Sequence, residues 1–169
     1  MDVTALYKFT SGLYVVSAQA GDDKGACVIN TGMQLTAEPL QVQVVVNKQN
    51  YTHDVIAKAG HFALTAIDET ATMLYIGRFG FRTSANYDKF DGIESRRTIL
   101  GDPFVPESAA CVLACEVVKT LDVGTHTIFV GEVKDAEVLG DAPAMTYGYY
   151  HRVLKGKTPP KASSFIAES

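Results

Sequence analysis

Two short runs of residues are best suited to chemistry. Asn47-Lys48-Gln49-Asn50-Tyr51-Thr52-His53 leads from an alternating apolar stretch directly into a helix start. The first N–H groups of a helix lack intrahelical partners, and together with the helix dipole they favour an anion such as phosphate. Asn50 and Thr52 add side-chain hydrogen bonding, and Lys48 or His53 adds charge. Ordinary N-capping, which needs only one of these residues, is the competing explanation. The second run, Asn30-Thr31-Gly32-Met33-Gln34-Leu35-Thr36-Ala37-Glu38-Pro39, is rich in side chains that hydrogen-bond without charge. Such a loop can lay hydroxyl, amide and backbone N–H groups along the edge of a planar heterocycle, or it can be a turn-rich connection that satisfies itself.

Two smaller signals accompany them. Phe79-Gly80-Phe81-Arg82 places aromatics about a glycine just before a cation. The aromatics could shield a ring system while Arg82 or Lys89 neutralises a phosphate; they could equally be core residues beside a C-cap glycine. In Gly124-Thr125-His126-Thr127 a histidine opens a strand, where it can touch a ligand or serve only as a half-buried hydrogen-bonding group. Other chemistries are not indicated. Cys111 and Cys115 are four apart, ~13 Å along a strand, and have no CxxC spacing; they read as small core hydrophobes. His53, His61, His126 and His151 show no HExxH pattern, and GxGxxG, Walker and GxSxG motifs are absent from the sequence. No bound metal is expected.

The elements that must position these groups are mostly strands. Alternation of Leu40, Val42, Val44 and Val46 with polar neighbours marks the clearest one. Strands are also expected at 13–18, 26–31 and 61–67, and a long pair at 111–121 and 125–133 is joined by Asp122-Val123-Gly124, with a continuation at 136–139. Short helices are expected at 2–9, 52–59 and 70–78, with one more helical turn at 84–90. The chain has 169 residues, 47% hydrophobic, enough to bury one core without disulfides. Charged residues make up 20%, the net charge is −4 and the basic residues are scattered, which argues against a nucleic-acid partner. With no apolar run near the ~20 residues of a membrane helix and no signal-peptide pattern, no membrane role is indicated and a cytoplasmic protein is expected. Many strands with few short helices suggest a mainly β, closed antiparallel barrel.

Taken together, SGLYVVSA at 11–18, the run at 30–56, IGRFGFR at 76–82, DKFDG at 88–92, GTHTIFVGEV at 124–133 and MTYGYYH at 145–151 resemble the flavin reductase-like family with the FMN-binding split-barrel fold. The similarity is to the branch of ferric reductases, flavoredoxins and the flavin domain of high-molecular-weight rubredoxin. It implies a domain over 1–157, an extended tail at 158–169, and a homodimer holding FMN between its subunits. Asn30, Thr31, Gln34, Leu35 and Thr36 would line the isoalloxazine ring. Asn47, Lys48, Asn50 and Thr52 would hold the phosphate, helped by Arg82 and Lys89, with Phe81 beside the ring. His126 falls where a nicotinamide would stack, and Tyr147 and Tyr149 come from the last ordered segment. The family places a bulky apolar residue where this chain has Gly32. The implied reaction takes hydride from NAD(P)H onto flavin and passes electrons to free flavin, a ferric chelate or a redox protein, the cofactor carrying the chemistry. An electron-transfer flavoprotein fed by a protein donor, or a non-catalytic flavin-binding module, are the alternatives.

Overall fold

The computed structural model describes residues 2, 5, 8–159 and 162. Half of the helix expected at 2–9 (residues 3, 4, 6 and 7) and most of the tail expected at 158–169 lie outside the described residues. Among the described residues nine strands and three helices follow one another as β1 (Tyr14–Ala20), β2 (Asp23–Ile29), β3 (Met33–Ala37), β4 (Leu40–Asn47), α1 (Tyr51–Ala59), β5 (His61–Ile67), α2 (Met73–Gly80), β6 (Arg96–Arg97), β7 (Pro103–Phe104), β8 (Ala109–Asp122), β9 (His126–Val138) and α3 (Tyr147–Arg152). Seven strands form one antiparallel sheet in the order β2-β1-β5-β8-β9-β4-β3.

The apolar pattern explains this arrangement. Alternation in β4 turns Val42, Val44 and Val46 inward, and they meet Val16, Phe62, Cys115 and Phe129 in a first core. α1 contributes Val55 and Ile56 to that core and lies over β1 and β2. Gly25 permits the close approach: a Cβ there would stand 2.9 Å from the Thr52 Cα. A second core gathers Leu13, Ile67, Ile76, Phe79, Phe90, Met145 and Tyr150, and so fixes α2 and α3 against the outside of the sheet. Fully burying each such side chain stabilises the fold by about 1.5–3 kcal/mol.

Four departures from the expected elements bear on the site. Residues 33–37 are the strand β3, exposed along its whole length, and not a loop. A strand with no buried face has no hydrophobic alternation to reveal it. Residues 84–90 hold no helix, whereas 147–152 form α3, capped by the Thr146 side chain. The strand order begins at β2 and ends at β3, so no strand ladder joins those ends among the described residues. Instead, Thr31 ties the connection between them to β4: its hydroxyl donates to the Val45 carbonyl at 3.0 Å and accepts from the Val45 N–H at 3.1 Å.

Candidate functional site

A cleft opens between the two cores, and four elements converge on it. The ends of β2 and β4 supply Asn30 and Asn47, the N-cap of α1 supplies Asn50, and the end of α2 supplies Phe81. His126 and Tyr147 complete the ring of expected residues that the fold brings together. Strand register does much of this. Asn47 pairs with His126 across β4 and β9, and the β8–β9 turn, with Gly124 at φ 88°, starts β9 at that histidine. The Lys48 N–H donates to the Thr125 carbonyl at 3.0 Å, locking the two chain segments together at the cleft mouth.

The start of α1 is capped by Asn50 at the edge of the cleft. Asn50 has extended backbone (φ −89°, ψ 125°), and its side-chain oxygen accepts the Thr52 N–H at 3.2 Å. Asp54 sits in the first turn, where it also complements the dipole. Thr52 itself is fully buried beneath the cleft, and its hydroxyl has no hydrogen-bond partner. Cys27, from β2, lines the cleft floor. Burial pushes its thiol up to about 11, against the opposing pull of Lys89, Thr52 and Asn50. It is therefore protonated at neutral pH and is no thiolate nucleophile.

His126 is placed to contact a ligand. Its Nδ1 lies 2.8 Å from the Thr125 hydroxyl, while Nε2 is buried with no partner in the protein. A buried ring nitrogen left unsatisfied is costly unless a bound molecule completes it. Amides on three sides, an unpartnered imidazole nitrogen, aromatic walls and a helix start together fit a flavin nucleotide: a planar ring with polar edges plus a phosphate.

The remaining expected residues are placed elsewhere. Gln34, Leu35 and Thr36 lie exposed on β3; Thr36 donates its hydroxyl to the Pro39 carbonyl. Thr31 stands next to Asn30 but spends its hydroxyl on β4. Lys48 forms an ion pair with Asp122 at 2.5 Å. Arg82 stacks on the Tyr87 ring, its guanidinium carbon 4.4 Å from the centroid. Lys89, expected to face a phosphate, points into the interior, where its ammonium donates to the carbonyls of Ala26 at 2.7 Å and Phe79 at 2.6 Å. Of the two aromatics about Gly80, Phe79 is core and Phe81 lines the cleft. Gly32 is required by packing, since a Cβ would stand 2.9 Å from the Tyr14 ring; that ring takes up the space beside it.

Tyr149 is half-buried against the second core, and it is Tyr150 that lines the cleft with Tyr147. Those two rings stack with centroids 6.0 Å apart. A helical reading of 147–152 would have found the pair, because residues three apart share a helix face and residues two apart do not. Cys27 carried no such signal; a single cysteine in an apolar strand looks like any small core residue. Among the described residues, no group of three or more His, Cys, Asp or Glu is placed to hold a metal ion.

An antiparallel β domain with one aromatic-walled cleft at a helix start, and no acid–base pair in it, is a domain that holds a cofactor and orients it. The chain belongs to the flavin reductase like domain family, whose profile matches residues 6–158, and it is an oxidoreductase of that type. It is 46% identical over 166 residues, 98% of both chains, to a ferric-chelate reductase (NAD(P)H) of Archaeoglobus fulgidus. It is 39% identical over 165 residues, 98% of this chain and 72% of the relative, to a high molecular weight rubredoxin of Moorella thermoacetica. The fold matches the NADH:FAD oxidoreductase of Streptomyces globisporus C-1027 with a TM-score of 0.75 and 23% identity, covering 82% of this chain and 81% of that one.

Proposed function

We propose that this protein is an FMN-dependent reductase that takes electrons from NAD(P)H and delivers them to a ferric chelate or free flavin. The carrying observation is the cleft at the start of α1, where Asn47 and Asn50 meet the unpartnered Nε2 of His126. The A. fulgidus relative's name, at 98% coverage of both chains, supports the donor and the acceptor.

When bound, the flavin supplies reversible acceptance of two electrons, a step for which no protein side chain need act as base. The protein's own contribution is placement. The α1 N-terminus and Asn50 bind the phosphate, which anchors the nucleotide at one end. Asn30 and Asn47 orient the ring edge, Phe81 and Tyr147 wall it from water, and the buried Nε2 of His126 meets the bound ligand. Asn50 and the Asn47–His126 strand pair keep these groups in fixed relation, so little reorganisation is needed when substrate arrives.

In this reading the sheet closes as a split barrel about the first core, with Thr31 bridging its ends. Residues 1–157 form the domain and 158–169 a tail. The protein acts as a homodimer, in which the exposed β3 brings Gln34, Leu35 and Thr36 toward the partner's flavin. Its three free cysteines suit a reducing, cytoplasmic setting. No described helix is long and apolar enough to cross a membrane.

The cofactor assignment is tested by Asn50→Asp. Asp caps a helix as well as Asn does, so stability is expected to hold. Its added negative charge opposes a phosphate, so FMN affinity is expected to fall at least ~10-fold, about 1.4 kcal/mol, while riboflavin affinity stays unchanged. Fluorescence titration with both flavins measures this. Equal losses for both, or for neither, would move the phosphate away from α1.

A further inference from the structure

We propose that residues 153–159 are a latched strap that holds flavin in the cleft, with Tyr147, Tyr150 and His151 of α3 as the latch. The proposal rests on the flavin reading of the cleft and adds to it a control on entry and release. After α3 the chain turns back at Lys155, which sits in the left-handed region at φ 55°. Residues 155–159 form neither strand nor helix. Their described tethers to α3 are several: the Gly156 N–H donates to the Tyr150 carbonyl at 3.0 Å, and His151 Nδ1 donates to the Gly156 carbonyl at 2.9 Å. The Tyr150 hydroxyl donates to the Lys157 carbonyl at 2.9 Å, and the Tyr147 and Thr158 hydroxyls meet at 2.6 Å.

This places Pro159 in the wall of the cleft that Asn47, Asn50 and His126 line. One wall is therefore a detachable segment, while the others are sheet and helix. The latch residues are packed so that they cannot follow the strap outward. Tyr150 is 3% exposed, and the His151 ring meets Tyr147 and Tyr150 edge-on at centroid distances of 4.3 and 5.1 Å. Opening consequently breaks the tethers and leaves the aromatic wall in place. Each hydrogen bond of this kind shifts the opening equilibrium by about fivefold, so a few of them make a gate that closes firmly yet opens without unfolding.

Gly156 is the point at which the latch can be released cleanly. A Cβ there would fall within the ring of Tyr150, and a ring that is itself core cannot yield. Gly156→Ala thus lifts the strap, and His151→Phe removes one tether while keeping a ring in place. Neither residue lines the cleft.

The experiment loads full-length wild type and both variants with FMN and follows flavin fluorescence after rapid dilution. Release is expected to be tenfold or more faster in Gly156→Ala and about fivefold faster in His151→Phe, with urea midpoints close to wild type. In parallel, trypsin cleavage after Lys155 and Lys157 is expected to be slow in wild type and fast in Gly156→Ala, with and without FMN. Release rates and cleavage equal to wild type in both variants would overturn the strap. Faster cleavage in the variants from a wild type that binds no FMN would keep the latch and overturn the flavin reading instead.

Discussion

Lys89 carries a charge into the protein interior, 2% exposed, with only two carbonyls to receive it. Burial holds its ammonium down to about 8, against about 10.4 in an unfolded chain. Between those values the unfolded chain holds a proton that folded Lys89 has lost, so this residue makes stability rise with pH, by up to about 1.4 kcal/mol per pH unit. Cys27 and Cys115, pushed by burial up to about 11 and about 12, act oppositely. From about pH 8.5 upward the folded thiols keep protons that the unfolded chain has given up, and stability falls. Urea midpoints of wild type and Lys89→Met from pH 7.5 to 10 separate the two effects. The wild type is expected to gain on the variant steadily above pH 8; parallel curves would mean that Lys89 is charged throughout. At this scale the sequence misled in an instructive way. A lysine beside an aromatic–glycine run looked like a phosphate ligand, and nothing in its own neighbourhood reveals that its two partners are backbone carbonyls from 63 and 10 residues away.

At the scale of elements, α1 links stability to the cofactor. Its first turn rests on Gly25 of β2, with room for a hydrogen and no more. Gly25→Ala is expected to cost about 1–3 kcal/mol of stability, as overpacking does. Because the displaced group is the Thr52 backbone, the same variant is expected to lose flavin affinity as well. Urea unfolding and flavin titration on one preparation check both; lost stability with intact flavin binding would show that α1 can shift without moving the phosphate site. The elements that position Asn47, Asn50 and His126 were legible in the sequence, because β4, α1 and the β8–β9 hairpin each bury one face and carry their caps and turn residues locally. β3 and α3 were not. β3 buries nothing by itself, and α3 is a six-residue helix whose aromatic run carries no clear amphipathic period. The flavin-edge residues expected at 34–36 lay on the first, and the substitution of Tyr150 for Tyr149 followed from missing the second.

For the whole molecule, the exposed strand is the outstanding feature. Met33 is 54% exposed and Leu35 39%, on the edge strand β3, which invites pairing or coverage. In the proposed homodimer a second copy seated there would bury this surface and would carry Gln34, Leu35 and Thr36 to the neighbouring cleft. Leu35→Glu is accordingly expected to turn a dimer into a monomer and to weaken flavin binding at the same time. Sedimentation velocity with and without FMN reads both; a wild-type monomer that binds FMN fully would contradict the shared site.

On the proposed function the cleft holds FMN and NAD(P)H reduces it. An anaerobic absorbance titration of the FMN-loaded protein with NADH and then NADPH, followed by two equivalents of ferric chelate per flavin to take up its two electrons, tests this most directly. Bleaching of the visible flavin band within seconds by either nucleotide, and its return on adding the ferric chelate, is the predicted result. Flavin that binds but keeps its oxidised spectrum with both nucleotides would rule out NAD(P)H as donor and make a redox protein the electron donor.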